Sequence, residues 1–182
     1  MNTEYWQPEN LEKTNHALIF KKADSPQLQN EIESHLQSQN MPYTVLQSGK
    51  FTHEEYKHLL SKSLLMIYIS SSETQGVAVF EAWSMNVPTL IWNKKTMDYF
   101  GKIYDQASTC PYLSPQVGLD FANAQEFKGR FEQFLKLLPT FNPRNFVLSK
   151  FSLSHSAQRM IDIIDDVQRP QKNKALEFYN ID

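Results

Sequence analysis

The chain has 182 residues, of which 41% are hydrophobic, as expected for one globular domain with a sizeable core. Its formal net charge of −2 excludes the basic surface typical of nucleic-acid-binding proteins, and no apolar run approaches the roughly 20 residues of a membrane-spanning helix. Glutamates interrupt any signal-peptide pattern at the start, and the single Cys110 excludes an internal disulfide. These features predict a cytoplasmic protein in which Cys110 is a small buried residue.

The first part of the chain predicts a lead-in followed by a strand. Residues 1–15 are polar and are predicted to be extended, with aromatic docking points such as Trp6. The apolar run at 17–20 predicts the first strand. Lys21 and Lys22 follow at its carboxyl end, which is the edge where open α/β sheets bind ligands.

A helix is predicted to begin near Pro26, with Asp24 or Ser25 as its cap. Apolar residues recur along it at helical spacing, and His35 is predicted to lie on its surface. The apolar positions are Leu28, Ile32 and Leu36.

A second strand is predicted at 43–46, followed by a loop at 48–51 in which Gly49 permits close approach of a ligand. Thr52, with Glu55 three residues later, predicts a capping box that opens the next helix. The two histidines of that helix have no carboxylate partner at metal-binding spacing and are predicted to be surface residues; they are His53 and His58.

The central stretch predicts a strand–loop–helix–strand unit. The apolar run 64–69 is a buried strand, 70–75 is a small polar loop, and 88–92 is the next strand after a short helix. This length suits a parallel crossover. Gly76 stands at the junction of loop and helix, where the backbone must approach a ligand closely.

The start of this helix predicts an anion site. Ser72 or Thr74 is expected to cap the first turn. The amides of Gly76, Val77 and Ala78 have no acceptor within the helix and lie at the positive end of its dipole. A phosphate group is the ligand that this arrangement favours.

Two carboxylates flank the predicted anion site. Glu73 lies in the loop, and Glu81 lies one turn into the helix. Because helical side chains lean toward the N-terminus, Glu81 can reach back to the same crevice. Carboxylates accept hydrogen bonds from sugar hydroxyls, so the pair predicts a phosphate-linked sugar as ligand.

The remainder of the chain is predicted to complete the domain. Residues 93–101 are expected to form a loop or short helix, 107–113 to contain a short edge strand, and 118–121 to form a turn. An aromatic stripe predicts a helix at 125–138 that packs on the core. One or two helices are predicted at 144–167, and their inward residues are expected to be Met160, Ile161, Ile163 and Ile164.

Glu73 and Glu81, with seven residues between them, are followed by Ala82-Trp83-Ser84-Met85-Asn86-Val87-Pro88. This stretch resembles the E-x7-E and EA-A-G-P signature of retaining GT-B glycosyltransferases of the glycosyl transferases group 1 family. Asn86 stands where glycine is usual, but asparagine tolerates the left-handed conformation of a helix C-cap. The larger Trp83 is predicted to pack in the core. The resemblance covers the donor-binding half of such an enzyme.

The resemblance implies one half of a GT-B fold: a Rossmann-like α/β domain at 16–168, with an open parallel sheet of five or six strands, helices on both faces, and a tail at 169–182. Glu73 would be the catalytic-site residue that positions the donor sugar, and Glu81 would bind the ribose hydroxyls. The remaining donor-binding residues would be Gln75, Gly76, Val77 and Ala78 at the diphosphate, Lys21 and Lys22 at the phosphates, and Gly49 and Lys50 near the base.

The implied function is binding of a nucleotide-sugar for retaining glycosyl transfer, with no metal and no cofactor beyond the donor. An acceptor saccharide or lipid-linked saccharide is expected, together with an acceptor-binding domain or subunit. Two alternatives stay open from the residues themselves. One is a non-catalytic α/β module that binds a nucleotide or a partner protein, and the other is half of a sugar-nucleotide epimerase.

Overall fold

The computed structural model describes residues 1–9 and 11–168, so the predicted tail at 169–182 lies outside the described residues. Strands and helices alternate as far as Trp92, after which three more strands precede the last helices. The strands are β1 Ala17–Lys21, β2 Tyr43–Gln47, β3 Leu65–Ile69, β4 Thr89–Trp92, β5 Thr96–Tyr99, β6 Lys102–Asp105 and β7 Gly118–Phe121. The helices are α1 Pro26–Ser38, α2 His53–Lys62, α3 Val77–Ser84, α4 Ala124–Leu137, α5 Pro143–Phe151 and α6 Leu153–Gln168, with a 3₁₀ turn at Leu138–Thr140.

Five strands form one parallel sheet in the order β2-β1-β3-β4-β7. This confirms the predicted Rossmann-like α/β class. The central β3 is buried along its whole length, as its unbroken apolar sequence requires. After β2 the chain returns across β1 to β3, so the connections that leave β1 and β3 diverge. Such a reversal opens a crevice between the carboxyl ends of these two strands.

Helices cover both faces of the sheet because strand side chains alternate between them. On β1, Leu18 and Phe20 join the core under α2, α3 and α5, whereas Ala17 and Ile19 join the core under α1 and α4. The predicted aromatic stripe of α4 lies in the second core. Its central residues are at most 1% exposed, and each buried ring contributes about 1.5–3 kcal/mol of hydrophobic stabilisation. These are Phe127, Phe131 and Phe134.

The lead-in packs on the domain through Trp6, which is buried. The Trp6 carbonyl accepts hydrogen bonds from Ser84 Oγ at 2.6 Å and from Arg144 Nη1 at 3.1 Å. Arg144 also donates to the Ser84 carbonyl at 2.6 Å. The lead-in therefore links the end of α3 to the start of α5.

The predictions for 93–121 were wrong in three places. A hairpin of β5 and β6 replaces the loop or short helix expected at 93–101, and its turn residues Phe100 and Gly101 both have positive φ. Such turns favour Asn-Gly, so Phe-Gly gave no signal. No strand lies within 107–113; the edge strand is β7, at the predicted turn 118–121. The first residue of β7, Gly118, must be a glycine because a Cβ there would lie 1.9 Å from the Thr89 carbonyl oxygen.

His35 is buried rather than on the surface, contrary to the prediction. Its ring meets Phe127 and Phe131 edge-on, at centroid distances of 5.6 and 5.3 Å. The packing of α1 on α4, which pattern analysis of α1 cannot reveal, explains the difference. At the start of α1, Ser25 is the N-cap, although its side chain makes no capping hydrogen bond.

The apolar residues of α6 were predicted to face inward, and this was wrong. Met160, Ile161, Ile163 and Ile164 are between 47% and 65% exposed. Among the described elements, α6 packs mainly on α5. The exposure of the apolar stripe shows that no described element covers it. None of the described helices, α6 included, combines the length and apolar character needed to cross a bilayer.

Candidate functional site

A crevice of about 330 Å³ opens between the carboxyl ends of β1 and β3, in front of the first turn of α3. It brings together most of the residues that the sequence singled out. Glu73 and Glu81 both line it, although they come from different elements. The other predicted residues that line it are Lys22, Gln75, Gly76, Val77 and Ala78.

Three of the predicted residues do not line the crevice. Lys21 turns to Asp24 instead, with Nζ 3.1 Å from Oδ1. Gly49 and Lys50 are exposed at the tip of the loop after β2. The residues on either side of them in the chain do reach the crevice, and these are Ser48 and Phe51.

The start of α3 is a glycine cap, not the Ser72 or Thr74 cap that the sequence predicted. Gly76 is the N-cap, in the left-handed conformation with φ 73° and ψ 56°. Its carbonyl accepts from the amides of Val79 and Phe80, whereas no described residue accepts from the amides of Gly76, Val77 or Ala78. These three amides stand at the lining of the crevice, where a bound anion would satisfy them.

Glu73 is held firmly on the wall of the crevice. Its Oε1 accepts hydrogen bonds from Lys22 Nζ at 2.7 Å, Tyr68 OH at 2.8 Å and Ser70 Oγ at 2.9 Å. Burial alone would raise the pKa of Glu73, but these hydrogen bonds and the charge of Lys22 outweigh it and hold the pKa below its ordinary value. Glu73 is therefore a carboxylate at neutral pH.

Glu81 lies in the opposite electrostatic setting. It is half-buried, and no described residue donates a hydrogen bond to its carboxyl group. Burial raises its pKa to about 7. A carboxylate without a partner in a crevice favours a ligand that brings hydroxyl donors, because the ligand would then offset the cost of burying its charge.

Together these groups can hold a ligand with an anionic centre and hydroxyls on both sides of it. The α3 amides and the Lys22 ammonium suit the anion, and the two carboxylates suit the hydroxyls. Within the described residues, no group of three or more His, Cys, Asp or Glu side chains is placed to hold a metal ion.

Sequence analysis missed several residues of the crevice. Tyr68 and Ser70 fix Glu73, yet both belong to a stretch that was assigned only as strand and loop. The signal was present, because a tyrosine two residues before a polar loop places its hydroxyl at the strand end. His53 is exposed, as predicted, but it also lines the crevice.

A larger cavity of about 460 Å³ lies on the other face of the sheet, between the starts of α1 and α4. Lys94 is its charged residue, and the Lys94 ammonium lies over the Trp92 ring at 4.6 Å. At the start of α4, the side chain of Asn123 already accepts hydrogen bonds from the amides of Gln125 and Glu126. No carboxylate side chain lines this cavity, so it lacks the pair of glutamates that marks the crevice as the candidate site.

Comparisons with known proteins agree with this architecture. No protein-family model and no curated protein matches the sequence. The structure is similar to the C-terminal domain of a glycosyl transferase group 1 family protein (LpcC) from Francisella tularensis, with 10% identity and a TM-score of 0.56 over 84% of this chain and 99% of that one. It is also similar to TarM, with 13% identity and a TM-score of 0.58 over 86% of this chain and 36% of TarM. The chain therefore has the fold of the C-terminal domain of a GT-B glycosyltransferase.

Proposed function

We propose that the chain is the donor-binding domain of a retaining glycosyltransferase and binds a nucleotide-sugar in the crevice at α3. The observation that carries this proposal is the convergence of Glu73, Glu81 and the open amides of the α3 start on one crevice. The crevice also lies at the reversal of strand order between β1 and β3, where open α/β sheets bind ligands.

In this proposal the diphosphate lies at the first turn of α3. The amides of Gly76, Val77 and Ala78 would donate to its oxygens, and the helix dipole would favour its charge. Lys22, whose side chain is 48% exposed and whose ammonium pairs with Glu73 at 2.7 Å, would add a positive charge on the other side. Each such charge-assisted hydrogen bond is worth about 1.5–3 kcal/mol.

The two carboxylates would divide the sugars between them. Glu81 would accept hydrogen bonds from the ribose hydroxyls, which supply the donors that its carboxyl group lacks in the free protein. Glu73 would meet the transferred sugar. Its low pKa suits a carboxylate that positions the sugar through hydrogen bonds rather than one that donates a proton.

Catalysis would rest on stabilisation of the leaving group. As the glycosidic bond breaks, negative charge develops on the diphosphate, and amides and an ammonium already aimed at it stabilise this charge without reorganisation. Glu73 would hold the sugar in the reactive geometry. The chemistry assigned to this chain is thus electrostatic and geometric.

An acceptor-binding domain or subunit would complete the enzyme. The exposed apolar stripe of α6 supports this part of the proposal, since stripes of this kind mark interaction surfaces. The chain also spans only 36% of TarM, which leaves most of that protein without a counterpart here. The acceptor would be a saccharide, free or lipid-linked.

Calorimetric titration with uridine, guanosine and adenosine diphosphates, and with their sugar derivatives, tests the proposal. We expect micromolar to millimolar binding of one base, weakened about tenfold or more by Glu81→Ala, because a hydrogen bond to a charged group is worth about 1.5–3 kcal/mol. Glu31→Ala is the matched control, since Glu31 is exposed on α1. If no member of the panel binds, the chain is not a donor-binding domain.

A further inference from the structure

The Tyr68 hydroxyl is not needed for packing of the core, yet it makes a specific hydrogen bond in the crevice. Tyr68 is 1% exposed, and its ring stacks on Phe20 at a centroid distance of 5.5 Å, which a phenylalanine would do equally well. Its hydroxyl donates at 2.8 Å to Glu73 Oε1, an atom of a loop side chain rather than of the backbone. The hydroxyl therefore ties the loop carboxylate to the rigid central strand.

The loop is held at a second point by its backbone. The Glu73 amide donates to the Ser108 carbonyl at 3.1 Å, and Ser70, 3% exposed, donates to the same Oε1 as Tyr68. Both the backbone and the carboxylate of Glu73 are thus anchored by buried or part-buried partners. Lys22 differs from these partners, because its side chain is 48% exposed, although its ammonium pairs with Glu73 Oε1 at 2.7 Å.

All three hydrogen bonds to Glu73 converge on Oε1, and no described residue donates to Oε2. One oxygen is therefore saturated by the protein while the other keeps its lone pairs for a ligand. Two buried hydroxyls reach one oxygen from β3 and the residue that follows it, so the carboxylate plane cannot rotate without breaking at least one of these bonds.

We propose that Tyr68 is a positioning residue that holds Glu73 so that Oε2 is presented to the sugar of the donor, and that it thereby sets the preference for a nucleotide-sugar over the free nucleoside diphosphate. This inference rests on the proposed function. Because the Tyr68 hydroxyl is bonded to Glu73, it acts on the ligand through that carboxylate, so its removal should affect binding only when the ligand carries a sugar.

The test compares two dissociation constants in each variant, for the nucleoside diphosphate that the wild type binds and for its sugar derivative. Tyr68→Phe is expected to leave the affinity for the diphosphate within about twofold. It is expected to weaken binding of the sugar derivative about five- to tenfold, less than the loss of a direct hydrogen bond to the ligand, because the bonds from Lys22 and Ser70 still hold Glu73 Oε1. Ser70→Ala is expected to act in the same direction and keeps the test decisive if Tyr68→Phe fails to fold.

Tyr43→Phe is the matched control. The Tyr43 hydroxyl also donates to a glutamate, Glu33 Oε2 at 3.0 Å, but neither residue lines the crevice. Its two dissociation constants should equal those of the wild type.

A second readout is the pH at which sugar-dependent binding is lost on acidification. Tyr68 helps to keep the pKa of Glu73 low, so Tyr68→Phe should move this loss to higher pH, which a packing defect would not do. Equal weakening of both ligands, or no change in either, would overturn the inference while leaving the proposed function intact. Failure of the wild type to bind any nucleoside diphosphate would reject the proposed function and the inference with it.

Discussion

Replacing Glu81 by glutamine should stabilise the free protein at alkaline pH while weakening donor binding. Glu81 is half-buried, no described residue donates to it, and burial raises its pKa to about 7. Glutamine keeps the size of the side chain and removes the charge. The substitution therefore isolates the cost of holding an ionised carboxyl group in the crevice.

Proton linkage gives the direction in which Glu81 changes the stability of the protein with pH. Between pH 4.5, the ordinary pKa, and about 7, the native state binds more protons at Glu81 than the unfolded chain does, so this group makes the protein less stable as pH rises. The two pKa values correspond to at most about 3 kcal/mol, at about 1.36 kcal/mol per pKa unit. Because Glu81 is partly exposed, screening reduces the expected gain to about 1–2 kcal/mol.

Thermal unfolding of wild type and Glu81→Gln at pH 5 and pH 8 measures the effect. At about 2–4 °C per kcal/mol for a chain of this size, the variant should melt about 2–8 °C higher at pH 8, with the difference reduced to about a quarter at pH 5. Other titrating groups are common to both proteins and cancel in the comparison.

Glu73→Gln provides the opposite control. The pKa of Glu73 is depressed, so its ionised form stabilises the native state above its unfolded pKa, and this contribution is lost as pH falls through the folded pKa. The Glu73 variant should therefore be less stable than wild type at pH 7, and the gap should narrow in acid. Two results would refute this reasoning: a Glu81→Gln variant no more stable than wild type at pH 8, or a melting temperature raised equally at both pH values. Either would show that ionisation of the buried Glu81 carboxyl group does not destabilise the protein.

Two further predictions concern stability and are checked by denaturant unfolding. Gly76→Ala should lower the free energy of unfolding by about 1–2 kcal/mol because φ is +73°, although a Cβ there would have room. Gly129→Ala, inside α4 and in open space, should raise it by about 0.5–1 kcal/mol. Unchanged stability of Gly76→Ala would show that the left-handed cap does not require glycine. Met160→Ser on the exposed α6 stripe should change the free energy of unfolding by less than about 0.5 kcal/mol and reduce binding of an apolar dye. Phe131→Ala in the core should lower the free energy of unfolding by about 3–5 kcal/mol. A large loss of stability in Met160→Ser would mean that the stripe is already covered.

Sequence patterns predicted the features that depend on neighbours in the chain. The capping box of Thr52 and Glu55 is present, with both reciprocal hydrogen bonds at the start of α2. Asn86 adopts the left-handed conformation expected of it, with φ 56°. Trp83 and Cys110 are buried, as their settings indicated. Each of these features is decided within about one turn of helix or one strand, where side-chain chemistry acts directly on the local backbone.

The errors concern contacts between distant segments. His35 is buried because α4 packs over it, and the α6 stripe is exposed because no described element covers it. Helical periodicity shows that a residue lies on an apolar face, but it does not show whether another segment meets that face. The same limit explains why 118–121 was predicted to be a turn, since only its pairing with β4 makes it a strand.

The order of strands and helices from β1 to β4, and the placement of two glutamates around a glycine that opens a helix, could be derived from the chain alone because each depends on short-range spacing. The pairing of Lys22 with Glu73 and the anchoring of that glutamate by Tyr68 needed the folded molecule. Lys22 and Glu73 lie 51 residues apart and meet only because β1 and β3 are neighbours in the sheet. Strand order is set by the summed packing of both cores, and no local pattern in the sequence encodes that sum.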